Sequence, residues 1–243
     1  MTHRSLVFLI VFITTGVYAD PVSIVASENA YCRIAGGDRD ESENLEARRS
    51  YTTRANNDRL TYLRFDIASI AAQITQASDI VSAALTVHLT DARTGEIPNF
   101  YVSALLDGVN ETTWTAVMVP ADRPHGTETV SASEGITVTP PLGSVSIAVT
   151  QTGDLSIPLS ASDLFALLQA DTNNEITLVL SIAGNNAVTK FASITNTGGL
   201  SVPTLTVDLA SPPAAGTVIM LGSLGGGVLV LFLLLGLRFQ KRA

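Results

Sequence analysis

Apolar and polar residues alternate with a period of two in several stretches of the chain. In 61–67, Leu63, Phe65 and Ile67 share one side while Tyr62, Arg64 and Asp66 share the other. Ala83, Leu85, Val87 and Leu89 alternate with Ala84, Thr86, His88 and Thr90, and Ile176, Leu178, Leu180 and Ile182 alternate with Thr177, Val179 and Ser181. Leu205, Val207 and Leu209 alternate with Thr204, Thr206 and Asp208. This is the signature of strands with one face buried and one wet, as antiparallel sheets show. Shorter runs predict strands at 30–34, 99–106, 145–150 and 155–158. Helical spacing is confined to two places: 164–170, where Ser162-Asp163 is the expected cap and Leu164, Leu167 and Leu168 form one stripe, and a short turn over 69–77. No βαβ rhythm is present, so a doubly wound sheet is excluded. The prediction is an all-β antiparallel jelly-roll sandwich over 20–210, with long loops in the Pro-, Gly-, Ser- and Thr-rich region 107–144.

The two ends break the pattern. Residues 1–19 begin with His3 and Arg4, continue through an apolar run from Leu6 to Ile13, and end in Val17-Tyr18-Ala19, as a secretory signal peptide does. Residues 211–216 read as a Pro/Ala linker. The uncharged stretch 217–237 would reach about 30 Å as a helix, the thickness of a hydrocarbon core. Arg238, Lys241 and Arg242 then mark 238–243 as a basic cytoplasmic tail. Gly222 and Gly226 have the spacing that lets two membrane helices approach closely. The expected location is the cell envelope, with the domain outside the cytoplasm and the membrane a partner through this helix. The layout of linker, apolar helix and basic end resembles exosortase sorting signals, with Pro212-Pro213-Ala214 where those carry Pro-Glu-Pro.

Charge sharpens the picture. Charged residues make up 15% of the chain, against about 25% in ordinary soluble domains. All 22 acidic residues lie in 20–210, where only ten basic ones accompany them, a net of −12. Nucleic acid is therefore excluded as a partner, since phosphate binding needs a positive footprint. Cys32 is alone, so no intramolecular disulfide forms; it reads as a small buried hydrophobe in a strand.

Candidate chemistry is sparse. His88 and His125 have no motif partners and read as solvated, and no GxSxG, HExxH or phosphate-loop motif occurs. Cofactors are not expected. Asp38-x-Asp40-x-Ser42-x-Asn44 alternates oxygen side chains as a structural calcium loop does, without the glycine and glutamate of an EF-hand, so Asp38 and Asp40 are calcium candidates beside the plain reading of a solvated loop. Asp66, Asp91, Asp107 and Glu111 are the carboxylates a glycosidase pair would draw on. Trp114, the sole tryptophan, either stacks on a sugar ring or packs; Tyr51, Tyr62 and Tyr101 carry the same two readings. Arg33, Arg64 and Lys190 would bind a uronate carboxylate, provided they form a basic patch in this acidic body.

Five segments carry a family resemblance. Glu28-Asn29-Ala30-Tyr31-Cys32-Arg33, Tyr62-Leu63-Arg64-Phe65-Asp66-Ile67, Ser82-Ala83-Ala84-Leu85-Thr86-Val87, Glu111-Thr112-Thr113-Trp114-Thr115, and the closing pair Phe191-Ala192-Ser193 with Val202-Pro203-Thr204-Leu205 stand in order over 28–209. Together they resemble the DNRLRE-type and disaggregatase-related jelly-roll modules, which are close to the carbohydrate-binding modules of some alginate lyases. Where that family carries Ser-Arg-Glu, this chain has Ser193-Ile194-Thr195. The resemblance implies a non-catalytic carbohydrate-binding or extracellular-matrix role with a polysaccharide or envelope glycan as partner, and Trp114, Arg64 and Tyr62 as ligand-binding residues. A purely structural surface protein and a polysaccharide-degrading enzyme are the alternatives.

Overall fold

Strands that alternate must find partners, and in the computed structural model they find them exclusively antiparallel. The structure describes residues 20–33, 44–49, 59–93, 99–107, 138–148, 150–183 and 187–211. Contacts divide the chain after Ser211; everything below concerns the first unit. The signal segment 1–19, the span 217–237 and the tail 238–243 lie outside the described residues, as do Asp38, Asp40, Glu111, Trp114 and Tyr51. Among the described residues no helix is long and apolar enough to cross a membrane.

Eleven strands are described: β1 (Val22–Val25), β2 (Glu28–Arg33), β3 (Asn44–Arg49), β4 (Arg59–Asp66), β5 (Ile80–Arg93), β6 (Asn99–Ala104), β7 (Gly143–Ser146), β8 (Gly153–Leu159), β9 (Glu175–Ala183), β10 (Ala187–Ala192) and β11 (Thr204–Leu209). β4 is the centre of one half, with β2 on one side (Ala30 opposite Tyr62) and β9 on the other (Tyr62 opposite Val179), and β6 and β7 continuing beyond β9. β5, the longest strand, is the centre of the other half. It pairs with β8 along Ala83–Leu89, with β11 along 80–86 and with β10 along 89–93, while β1 lines β11. β3 joins the halves, pairing with β10 over its whole length and with β4 through Arg48 opposite Arg59. The two halves face each other as an all-β sandwich.

The core lies between them. Leu63, Phe65 and Ile67 from β4 and the residue after it meet Leu85, Val87 and Leu89 from β5, all fully buried. Each such side chain is worth about 1.5–3 kcal/mol of burial. Phe100 of β6 and Phe191 of β10 touch edge to face, ring centroids 6.1 Å apart, and so bridge the halves. The far seam closes where the Ser160 amide donates to the Leu142 carbonyl (2.8 Å). Beside it Gly143 runs so near β8 that a Cβ there would sit 2.1 Å from the Pro158 carbonyl oxygen.

Two helices accompany the strands. α1 (Ala68–Ala71) is a single turn, opened by the Asp66 carboxylate accepting the Ala68 amide. The expected turn over 69–77 does not continue. Asp79 instead draws the Thr75 and Gln76 amides (2.8 and 3.0 Å) and both side chains onto its carboxylate, which starts a 3-10 turn at Ala77–Asp79. α2 (Ala161–Ala170) buries Leu164, Leu167 and Leu168, the expected stripe, but its cap is Ser160, which is extended and accepts the Asp163 amide. Ser162 lies inside the first turn, two residues past the observed cap. The strand expected over 145–150 runs instead over Gly143–Ser146, and Thr150, the last residue expected in it, adopts φ 67°, outside any extended conformation. Three strands, β1, β3 and β10, fall where alternation gave too short a run to predict one.

Candidate functional site

β4 delivers two of the expected ligand-binding residues, and burial corrects both. Tyr62 and Arg64 do stand on the side of the strand away from Leu63 and Phe65. That side is not wet. Tyr62 is 0% exposed, in a second apolar cluster with Ala30, Leu60, Leu105 and Val179, against which Val138 also packs. A ring with no accessible face cannot stack on a sugar. Arg64 is 6% exposed, and its Nη1 donates to Glu28 Oε2 at 2.9 Å across the β2–β4 register. Its guanidinium serves the fold, as a buried charge must when a partner is at hand. The strands flanking β4 account for the difference: Ala30 and Val179 are apolar cross-strand neighbours of Tyr62 and pack in its cluster.

The histidine reading also changes. His88 stands directly opposite Asp154 in the β5–β8 register, with Nδ1 2.6 Å from Oδ1. Ser201 donates to the other oxygen of the same carboxylate at 3.2 Å. The hydrogen bond from His88 is the main cause holding the Asp154 carboxyl below its ordinary value. Three residue types of a hydrolytic triad are present, but the hydroxyl sits on the aspartate and not on the imidazole. A nucleophile needs its base next to it, so this arrangement is a cross-strand tether.

The candidate carboxylates are engaged as well. Asp66 caps α1, and Asp107 accepts both the amide and the hydroxyl of Thr172 at 2.6 Å. Asp171 beside it accepts the Asn174 amide; burial pushes its carboxyl up, and the charge of Asp107 adds to the shift. Among the described residues no three His, Cys, Asp or Glu side chains come together as a metal site. Asn44, the last member of the expected calcium run, opens β3 and accepts from the Thr90 hydroxyl at 3.1 Å. Cys32 stands in β2 opposite Leu60.

A cavity of about 220 Å³ opens between α2 and the chain around Leu106 and Leu142. Its described lining is mostly aliphatic, with Asp163 the one charged member and no aromatic ring. Such a lining offers a sugar neither a stacking surface nor a set of convergent hydrogen bonds.

The charged contacts cluster where β2, β3, β4, β10 and β5 meet. Glu46 of β3 pairs with Arg59 of β4, and Lys190 of β10 approaches the same carboxylate at 3.8 Å. The Arg59 guanidinium carbon lies over the half-buried Tyr31 ring, 5.6 Å from its centroid. Of the residues expected to meet a uronate, Lys190 belongs here, and Arg33 stands opposite Arg59 at the end of β2. Arg48, Arg59 and Arg93 were not singled out by sequence. The available signal was positional, since each basic residue stands at or next to a strand end.

No protein-family model and no curated protein matches the chain. Among solved structures, it is similar to the N-terminal CBM22-1–GH10 modules of endo-1,4-β-D-xylanase 10B from Clostridium thermocellum, determined with xylohexaose. The identity is 9% and the TM-score 0.32 over 81% of this chain, which spans 30% of the length of that one.

Proposed function

We propose that this chain is an exported, membrane-anchored, non-catalytic carbohydrate-binding module with the jelly-roll connectivity of the DNRLRE-type family. The observation that carries the reading is the pairing of the segments on which the resemblance rests. Glu28–Arg33 pairs with the Tyr-Leu-Arg-Phe-Asp strand, and the strand containing Ser82–Val87 pairs with both closing strands, through Phe191 and through Thr204–Leu209. Four of the five segments scattered along 28–209 are thus strands that fall into two paired groups; the segment 111–115 lies outside the described residues. The engagement of Asp66, Asp107 and the His88–Asp154 pair in structural contacts favours binding over hydrolysis. The ligand role first expected of Tyr62 and Arg64 is not part of this reading.

Two experiments test it. Residues 20–211, purified, should be retained by at least one polysaccharide in a panel of neutral and acidic glycans without shortening the polymer. Retention by none favours a purely structural surface protein, and loss of polymer length reveals an enzyme. The full chain should sediment with membranes while the form ending at Ser211 is released; sedimentation of both removes the anchor from the reading.

A further inference from the structure

The outer side of β4 is buried, and the outer side of β5 is open. Along the β5–β8 ladder His88 stands opposite Asp154, and Thr86 stands opposite Ser156. Leu85, Val87 and Leu89, which alternate with them on β5, turn into the core, so these four side chains share the outer side. Ser156 is exposed and Thr86 half-exposed, while the Asp154 and His88 side chains are 54% and 22% exposed. Residues directly opposite stand about 5 Å apart, and the next outward pair lies about 7 Å along the strands. Four polar groups therefore mark out a small rectangle on a rigid ladder, on the scale of one pyranose ring.

Two of the four are aimed before any ligand arrives. The Asp154 carboxylate is held through both oxygens, by His88 Nδ1 at 2.6 Å and by the Ser201 hydroxyl at 3.2 Å. Ser201 comes from a loop that is fixed in turn. Asn196 Oδ1 accepts the Leu200 amide at 3.0 Å, and Asn196 Nδ2 donates to the Leu200 carbonyl at 3.3 Å. Because the carboxylate accepts the hydrogen on Nδ1, the neutral imidazole presents Nε2 outward as an acceptor. Thr86 and Ser156 complete the rectangle with hydroxyls that have no partner among the described residues. A tether between β5 and β8 needs only the His88–Asp154 contact. The second support from Ser201 and the two open hydroxyls beside it go beyond that.

We propose that Thr86, His88, Asp154 and Ser156 form a binding subsite for one residue of an uncharged polysaccharide. The inference rests on the carbohydrate-binding reading above and gives it a place and a ligand class. Sugar hydroxyls donate to the remaining lone pairs of the carboxylate in charge-assisted hydrogen bonds. Nε2 accepts from a further hydroxyl, and the Thr86 and Ser156 hydroxyls donate or accept as the ring requires. Charge selects against an acidic polymer. β1, β8, β11 and the 80–89 stretch of β5 carry Asp154 and Asp208 and no lysine or arginine, within a body of net charge −12. An anionic sugar would meet a carboxylate here with no cation to pair with.

The test is calorimetric titration of the full chain with a β-glucan, a galactomannan, a xylan and polygalacturonate. It is repeated with Thr86→Val/Ser156→Ala, with Asp154→Asn, and with Ser144→Ala, an exposed hydroxyl on β7, as control. The neutral polymer that binds should lose at least about tenfold in affinity in the Thr86→Val/Ser156→Ala variant, as two lost hydrogen bonds would give. Asp154→Asn, which removes the charge and frees the ring, should lose at least as much, and Ser144→Ala should stay within about twofold of the parent. Polygalacturonate should bind more weakly than that neutral polymer at low salt. The thermal midpoint of Thr86→Val/Ser156→Ala should match the parent's, since the fold makes no use of these hydroxyls; a lower midpoint overturns their role as open groups. Affinity for a neutral polymer unchanged in this variant or in Asp154→Asn overturns the subsite while leaving carbohydrate binding in place. Tighter binding of polygalacturonate than of every neutral polymer overturns the ligand class. Absence of binding to all four ends the carbohydrate reading and the subsite together.

Discussion

β11 and β4 read alike in sequence and fold differently. β11 alternates half-exposed and buried residues along its length, with Thr204, Thr206 and Asp208 outward and Leu205, Val207 and Leu209 inward. β4 is buried without interruption from Leu60 to Phe65. The outward groups of β11 are short and polar, and they bond sideways to their neighbours: Thr206 with Ser23 at 3.4 Å, Asp208 with Ser82. The outward groups of β4 are long and amphipathic, and they pack under apolar neighbours. Period-two alternation thus reports which residues share a face. It does not report whether the second face meets water.

The contrast can be broken by mutation. Phe65→Ala and Tyr62→Ala should each cost about 3–5 kcal/mol in equilibrium unfolding, since both rings are fully buried. Thr206→Ala on β11 should stay within about 0.5 kcal/mol. A Tyr62→Ala cost close to that of Thr206→Ala would place β4 in the same class as β11. The seam where the two halves close comes next. Gly143→Ala forces a methyl into the Pro158 carbonyl and should cost about 1–3 kcal/mol as an overpacking change. Ser160→Ala removes the cap of the helix beside that seam and should cost about 1 kcal/mol.

The smallest effects are electrostatic and separate two carboxylates by sign. Hydrogen bonds from Thr75, then Gln76, hold Asp79 below its ordinary value. Its contribution is complete above the pKa of the unfolded chain and is lost as pH falls through the lower folded value. Asp79→Asn should therefore lower the thermal midpoint at neutral pH and leave less to lose in acid. Asp171 behaves in the opposite sense: burial raises its pKa, so the folded state is penalised as pH rises through that raised value. Asp171→Asn should raise the midpoint at neutral pH. Midpoints measured from pH 3 to 7 check both, and a common sign for the two variants would contradict these environments.

Much of the fold was legible because four strands and the helix stripe are long enough for their period to count. β5, β9 and β11 carry three or four inward apolar residues each, β4 carries Leu63 and Phe65 with Ile67 just beyond it, and α2 carries three. β3 offers only Leu45 and Ala47 between charged residues, a run too short to separate from a loop, and so its start was read as part of an oxygen-rich turn. The candidate site was far less legible. Glu46, Arg59 and Lys190, which meet in one charged cluster, are far apart along the chain, and no window of sequence shows them together; the pairings of β3 with β4 and β10 do. Tyr62 and Arg64 were placed outward by a correct rule, whose limit is that cover comes from other segments.

These comparisons meet in one claim: the outer side of β4, where Tyr62 and Arg64 stand, is buried and closed to ligand. Residue-resolved hydroxyl-radical footprinting of the full chain, with and without a polysaccharide, tests it most directly. The account predicts that Tyr62 stays unmodified in both states while the half-exposed Tyr101 is oxidised in both. Oxidation of Tyr62 at the rate of Tyr101, suppressed by the ligand, would contradict it.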